Sequence, residues 1–225
     1  MCRLGFSPAE AEKALIRLEQ SPNILSVTLF SHLACANDKA HPMNKQQADE
    51  FAAFVKGKKN ELSMCNSAGI FNFPELHFDY VRPGLAVYGI SSVDDQLAGD
   101  LDLRPVMTFK SALMAIQNLP KGACVGYSSR FECPEDMQVG IASCGYGDGY
   151  PVSAKDGTPV LVNGVECPLA GKVSMDMMAI DLRNLNGAKI GDPVTLWGEG
   201  LPIENVASNT ANNTWSLVTC LPNRA

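Results

Sequence analysis

The apolar positions change their period along the chain, and the change divides it in two. Ser7-Pro8-Ala9-Glu10 has the form of a capping box with proline at the first helical position. Behind it Ala11, Ala14, Leu15 and Leu18 recur at helical spacing. Residues 25–30 form a short β-rich run, a second helical face follows at Ala48, Phe51, Ala52 and Val55, and residues 62–65 and 78–81 read as further strands. Strands separated by amphipathic helices predict parallel βα units.

After Tyr88-Gly89-Ile90 the pattern shifts. Residues 91–100 are polar, carry three aspartates and read as a linker. Beyond them, residues 106–116, 138–143, 159–162, 173–180 and 193–197 are strand-like and punctuated by Gly and Pro, and only 203–211 looks helical. The expected organisation is therefore an α/β region over residues 1–95 and an all-β domain over 96–225. A complete (β/α)8 barrel needs about 250 residues, so the first region is expected to be either a smaller open α/β sheet or part of a barrel.

Composition narrows the function classes. The chain has 225 residues, 46% of them hydrophobic and 19% charged, as in ordinary globular proteins. A formal net charge of -6 argues against nucleic acid or an anionic membrane as partner, since either calls for a basic face. No apolar run is long enough to span a bilayer, and the first residues lack the regions of a signal peptide; a cytoplasmic location is expected. The eight cysteines (2, 35, 65, 124, 133, 144, 167 and 220) are never closer than nine positions, and only three histidines accompany them. Structural zinc needs closely spaced ligands, so reduced, mostly buried thiols and no metal are expected.

Several segments could carry chemistry, and each has a plainer structural reading. Asn66-Ser67-Ala68-Gly69 follows a strand and could offer hydroxyl and amide donors to an anion, or simply cap a helix. Arg82-Pro83-Gly84-Leu85 closes another strand, where α/β proteins place ligands, but could be a surface arginine beside a turn. His32 is a base, an orienting group or a core histidine. Tyr127 and Tyr146 stand in Gly-rich turns, where tyrosines commonly pack. Met175-Asp176-Met177-Met178 reads as core filling.

Taken together and in order, these blocks say more. Arg3-Leu4-Gly5-Phe6, Ser31-His32-Leu33-Ala34, Asn66-Ser67-Ala68, Val81-Arg82-Pro83-Gly84-Leu85-Ala86-Val87-Tyr88-Gly89, Val125-Gly126-Tyr127, Gly145-Tyr146-Gly147-Asp148-Gly149-Tyr150 and Gly171-Lys172-Val173-Ser174-Met175-Asp176 resemble the alanine racemase family over nearly the whole chain. The resemblance implies part of a (β/α)8 TIM-type barrel that binds pyridoxal 5'-phosphate (PLP), followed by a C-terminal β domain. It also implies a homodimer whose active site is shared between subunits, alanine as substrate, and D-alanine for peptidoglycan as product.

The same resemblance assigns roles position by position. Arg82 matches the arginine that faces the PLP pyridine nitrogen. A guanidinium stays charged and cannot hand over a proton, which leaves the ring a poorer electron sink and limits side reactions. Ser67, Gly84 and Leu85 match phosphate-binding positions, Asn66 is their neighbour in the cofactor loop, and His32 matches a histidine in the arginine's hydrogen-bond network. Tyr127 matches the catalytic tyrosine that takes the α-proton of L-alanine in the other subunit's active site. Met175 matches an amide that holds the substrate carboxylate, Tyr146 lines the narrow entry, and Arg3 contacts cofactor hydroxyl and carboxylate.

Departures from the family pattern are equally specific. The family's PLP lysine lies in a motif upstream of Arg3 that this sequence does not contain, so the chain is expected to lack the front of the barrel and to be inactive alone. Trp215 stands where a tyrosine usually donates to the PLP phosphate, and Lys172 stands where arginine is common. Two rivals remain at this stage: a related racemase for serine or a broader amino-acid set, and a non-catalytic β-domain or dimerisation fragment.

Overall fold

The computed structural model describes residues 1 and 3–222, so the expectation for Cys2 lies outside the described residues. The chain packs as two compact units, residues 1–87 with 91–103 and residues 88–90 with 104 onward.

In the first unit, helix α1 (Pro8–Glu19) starts at the expected capping box, with the Ser7 and Glu10 side chains bonding back to each other's amides. Strand β1 (Leu29–Phe30), helix α2 (Pro42–Val55), strand β2 (Leu62–Asn66), helix α3 (Ser67–Asn72) and strand β3 (Tyr80–Arg82) follow. The strands form a parallel sheet in the order β1-β2-β3, and the helices between them supply the crossovers that parallel strands need. Leu33, Ala36, Phe51, Met64 and Ala68 are the buried core between sheet and helices. The strand expected over 25–30 is shorter than its apolar run. Only its last two residues pair, and Leu25 is wholly exposed at 103%. The strand expected over 78–81 begins two residues later, because Phe78 takes a left-handed φ of 52° and turns out of line.

The second unit contains strands β4 (Phe109–Leu119), β5 (Cys124–Val125), β6 (Phe131–Glu132), β7 (Met137–Ala142), β8 (Pro159–Val162), β9 (Val165–Pro168), β10 (Met178–Asp181) and β11 (Pro193–Trp197), then helices α4 (Ile203–Ala207) and α5 (Thr214–Thr219). Six strands join antiparallel in the order β10-β7-β4-β11-β8-β9. A bridge between Leu169 and Ile180 brings the two edges together, which removes the edge-strand hazard. Inside, Trp197 stacks on Tyr150 with ring centres 5.8 Å apart and tilts against Phe109 at 4.7 Å.

The strand expected over 173–180 is mostly loop, and only Met178–Asp181 pairs. Residues before it bond elsewhere: the carbonyls of Ser174 and Met175 accept from the amides of Tyr146 and Gly147. Among the described residues no helix is long and apolar enough to cross a membrane, and no cluster of His, Cys, Asp and Glu could hold a metal ion.

Candidate functional site

The carboxyl ends of the parallel strands gather the first set of candidates. Arg82 ends β3 and is registered beside Asn66 at the end of β2. Its side chain reaches across the sheet: Nη1 donates to Ser63 Oγ at 2.5 Å, and Nη2 donates to the carbonyls of Ser31 at 2.6 Å and Met64 at 3.3 Å. The guanidinium also lies 5.0 Å over the Phe30 ring. All these partners are neutral, and among the described residues no carboxylate lies within ion-pairing distance of Arg82. Burial lowers its pKa from the ordinary value, yet guanidinium remains the charged form.

His32 lies between two donors. Arg82 Nη2 is 3.4 Å from its Nδ1 and Asn66 Nδ2 is 3.3 Å from its Nε2. An imidazolium would present N–H to N–H on both sides, so the neutral ring is favoured. Its pKa is lowered accordingly, first by burial and then by the positive fields of Arg82 and Arg3. Arg3 itself is exposed and enters the cluster through that field.

Asn66 serves two purposes. Its Oδ1 accepts the Gly69 amide at 3.0 Å and caps α3, while its amide nitrogen faces His32. Space beside Gly69 is tight, since a Cβ there would stand 3.1 Å from that of Cys65. Ser67 is 2% exposed, and its Oγ accepts from the amides of Gly84 at 2.6 Å and Ala86 at 3.3 Å. Both N–H groups are thus taken by the Ser67 oxygen, and the donor left free for an oxyanion is the hydroxyl's own proton, which the two amides polarise. Leu85 contributes a buried side chain at this turn. Ala86 and Ser63 were not singled out from the sequence. Ser63 leaves one trace there, a serine inside an otherwise apolar strand.

In the second unit backbone bonds join the Tyr146 turn to the segment of Met175, and the turn before Tyr127 lies against the start of that segment. Tyr146 and Gly147 donate to the carbonyls of Ser174 at 3.0 Å and Met175 at 2.8 Å. Gly145 makes this approach possible, because a Cβ on it would sit 2.2 Å from the Ser174 oxygen. The amide of Met175 has no intramolecular partner among the described residues. Gly126, just before Tyr127, lies against the Lys172 backbone, where a Cβ would come within 3.4 Å. Tyr127 is 68% exposed, and Tyr146 and Met175 are exposed as well.

Trp215 is exposed on α5. That helix is held to the Tyr146 loop by Asn212, which accepts from Ser153 and donates to Ser216. Gly149 passes close to the end of that helix, since a Cβ on it would come 2.8 Å from the Cys220 carbonyl oxygen.

Comparison with known proteins finds one family over both units. The family model for the N-terminal domain of alanine racemase matches residues 1–92, and that for the C-terminal domain matches residues 106–225. The alanine racemase of Nitrosomonas eutropha is 44% identical over 228 residues, and the biosynthetic alanine racemase of Escherichia coli K12 is 42% identical over 226. Both matches cover 100% of this chain and 63% of the relative, so the chain spans under two thirds of their length. The crystal structure of the biosynthetic alanine racemase from Pseudomonas aeruginosa superposes with a TM-score of 0.96 at 39% identity, covering 100% of this chain and 63% of that one. Alanine racemase from Bartonella henselae, solved with covalently bound pyridoxal phosphate, superposes at 0.85 and 28% identity over 99% of this chain and 62% of that one. The fold is thus part of a (β/α)8 barrel followed by a β domain.

Proposed function

The chain belongs to the alanine racemase family, and on that premise we propose that it forms the larger part of a PLP-dependent racemase interconverting L- and D-alanine. Residues 1–95 are the cofactor-binding part of the barrel and 96–225 the β domain. The observation that carries this reading is the Arg82–His32–Asn66 cluster beside the amides converging on Ser67.

The residues present fit the cofactor. Ser67, with the amides of Gly84, Leu85 and Ala86, would hold its phosphate, and Gly84 leaves room, since a Cβ there meets only Ser67 Oγ at 3.7 Å. Arg82, whose partners are neutral, would donate to the ring nitrogen and retain its own protons. Trp215 would donate its indole N–H to the phosphate in place of the family's usual tyrosine. Bound PLP supplies an electron-withdrawing ring that makes the α-proton of an amino acid acidic.

The chain's own residues then divide the proton work and the binding. Tyr127 would carry the α-proton on one face, at the active site of a second copy in a homodimer. Met175 N–H and Arg3 would hold the substrate carboxylate, and Tyr146 would narrow the entry. A group for the opposite face is needed as well, and none of the lysines in this sequence is nominated for it. The setting is cytoplasmic, with D-alanine destined for peptidoglycan.

Two measurements test the proposal. Equilibrium dialysis of the chain against PLP is expected to show binding that weakens in Ser67→Ala and that pyridoxine, lacking the phosphate, does not compete for well; equal competition by pyridoxine sinks the phosphate assignment. In the protein carrying the family's PLP lysine, Tyr127→Phe is expected to abolish solvent-deuterium entry into L-alanine. Serine run beside alanine separates this racemase from a broader one.

A further inference from the structure

Tyr127 stands in a turn that the backbone does not favour. Gly126, Ser128 and Ser129 all have positive φ, at 73°, 62° and 48°. Serine has a Cβ, and such conformations persist only where the surroundings over-determine them.

Arg130, the next residue, supplies that constraint. Its Nε and Nη2 donate to Asp156 Oδ1 at 3.2 and 3.0 Å, and Nη2 also donates to the carbonyls of Gly171 at 2.7 Å and Ala154 at 3.1 Å. The same Asp156 oxygen accepts the Gly171 amide at 2.7 Å. Both polar backbone groups of Gly171 are therefore held, the carbonyl by Arg130 and the N–H by Asp156. Gly171 has φ 95°, and a Cβ on it would come 2.8 Å from the Val125 carbonyl, on the strand that leads into Tyr127. Four residues further along is Met175.

Exposure of the two side chains, 33% and 32%, makes this a weak ion pair in itself. Its distinguishing feature is connectivity: one carboxylate oxygen takes three donors, and one guanidinium nitrogen bridges three acceptors. The pair fastens the exit of the Tyr127 turn to the backbone segment that ends at Met175.

We propose that Arg130 is a positioning residue for the Tyr127 phenol, acting through Asp156 and the Gly171 peptide to fix where Tyr127 stands relative to the Met175 amide. The proposal rests on the reading of Tyr127 as the proton-carrying group, and its geometry can be tested separately from that reading. The probe is 13Cζ-tyrosine NMR on the 225-residue chain, with its five tyrosines assigned by individual Tyr→Phe substitutions. In Arg130→Gln and in Asp156→Asn, the Tyr127 resonance is expected to shift and broaden while those of Tyr80 and Tyr88 stay in place. The double variant is expected to go no further than either single one, and Arg130→Lys, which keeps a charge but not the fork, to fall between. Asp156→Asn is isosteric and carries the test alone if Arg130→Gln unfolds. An unmoved Tyr127 resonance, a shift shared by all five tyrosines, or additive effects in the double variant overturns the proposal. If Tyr127 carries no proton in turnover, Tyr127→Phe leaves deuterium entry intact while the NMR outcome stands, so the two failures are told apart.

Discussion

The guanidinium of Arg82 faces the imidazole of His32, Nη2 to Nδ1 at 3.4 Å, with a donor from Asn66 on the ring's other nitrogen. That relationship favours the neutral ring and sets its protonation against the fold. The His32 pKa is depressed in the folded state, so the unfolded chain binds the extra proton more readily. Stability from this residue is therefore complete above the ordinary histidine pKa of 6.5 and is lost as pH falls below it toward the folded value. Urea midpoints measured across that window should decline with falling pH in the parent protein and flatten in His32→Asn. In Arg82→Met, an imidazole NMR titration should move His32 back up toward its ordinary value.

Ser67 collects two amides, and removing its oxygen leaves both without an acceptor. Ser67→Ala should cost about 1 kcal/mol of stability in denaturant melts. It should weaken PLP binding roughly tenfold to a hundredfold, the loss of a hydrogen bond to a charged group. A larger stability loss with unchanged PLP affinity would mark Ser67 as a purely structural bracket.

Gly145 allows two loops to touch at the backbone, and backbone cannot yield. With a Cβ 2.2 Å from the Ser174 oxygen and 2.4 Å from that of Met175, Gly145→Ala should destabilise the second unit by about 1–3 kcal/mol. Gly99→Ala, which meets nothing within 4 Å, is the control and should stay within about 0.5 kcal/mol. Thermal melts of the two variants decide the matter.

Tyr150 is buried with no hydrogen-bond partner for its hydroxyl among the described residues. Burial pushes its phenol far above the ordinary tyrosine range. Tyr150→Phe keeps the stack on Trp197 and removes the unsatisfied group, so the melting temperature should hold or rise, by an amount equivalent to about 1 kcal/mol. A fall of similar size would show that the hydroxyl matters to packing.

Elements with a cap and stripe or an uninterrupted apolar run were readable from the sequence, and two-residue or irregular ones were not. α1 announces itself through its cap and stripe, and β8 and β11 coincide with their apolar runs. β5 and β6 have two residues each, too few for any period to show. The 173–177 run reads as strand because Val173, Met175 and Met177 alternate with polar residues, but the Ser174 and Met175 carbonyls serve the Tyr146 loop rather than a neighbouring strand. Helix α5 begins with the Asn213 cap at a place where no stripe is long enough to notice. As for the site, His32, Asn66 and Arg82 lie up to fifty positions apart, and only the parallel register of strand ends brings them together. The roles proposed for them come from the family resemblance and not from periodicity. Arg130 and Asp156 were invisible either way, because an arginine and an aspartate 26 positions apart carry no pattern.

Strand β4 is the first of the second unit to be synthesised, yet it lies in the middle of the six-stranded sheet between β7 and β11. One neighbour begins at Met137 and the other ends only at Trp197. Pairings this distant along the chain form slowly. A nascent polypeptide leaving the ribosome must therefore carry a half-paired, aggregation-prone ribbon until Trp197 has emerged, and any premature stop before that residue leaves the ribbon without its second partner.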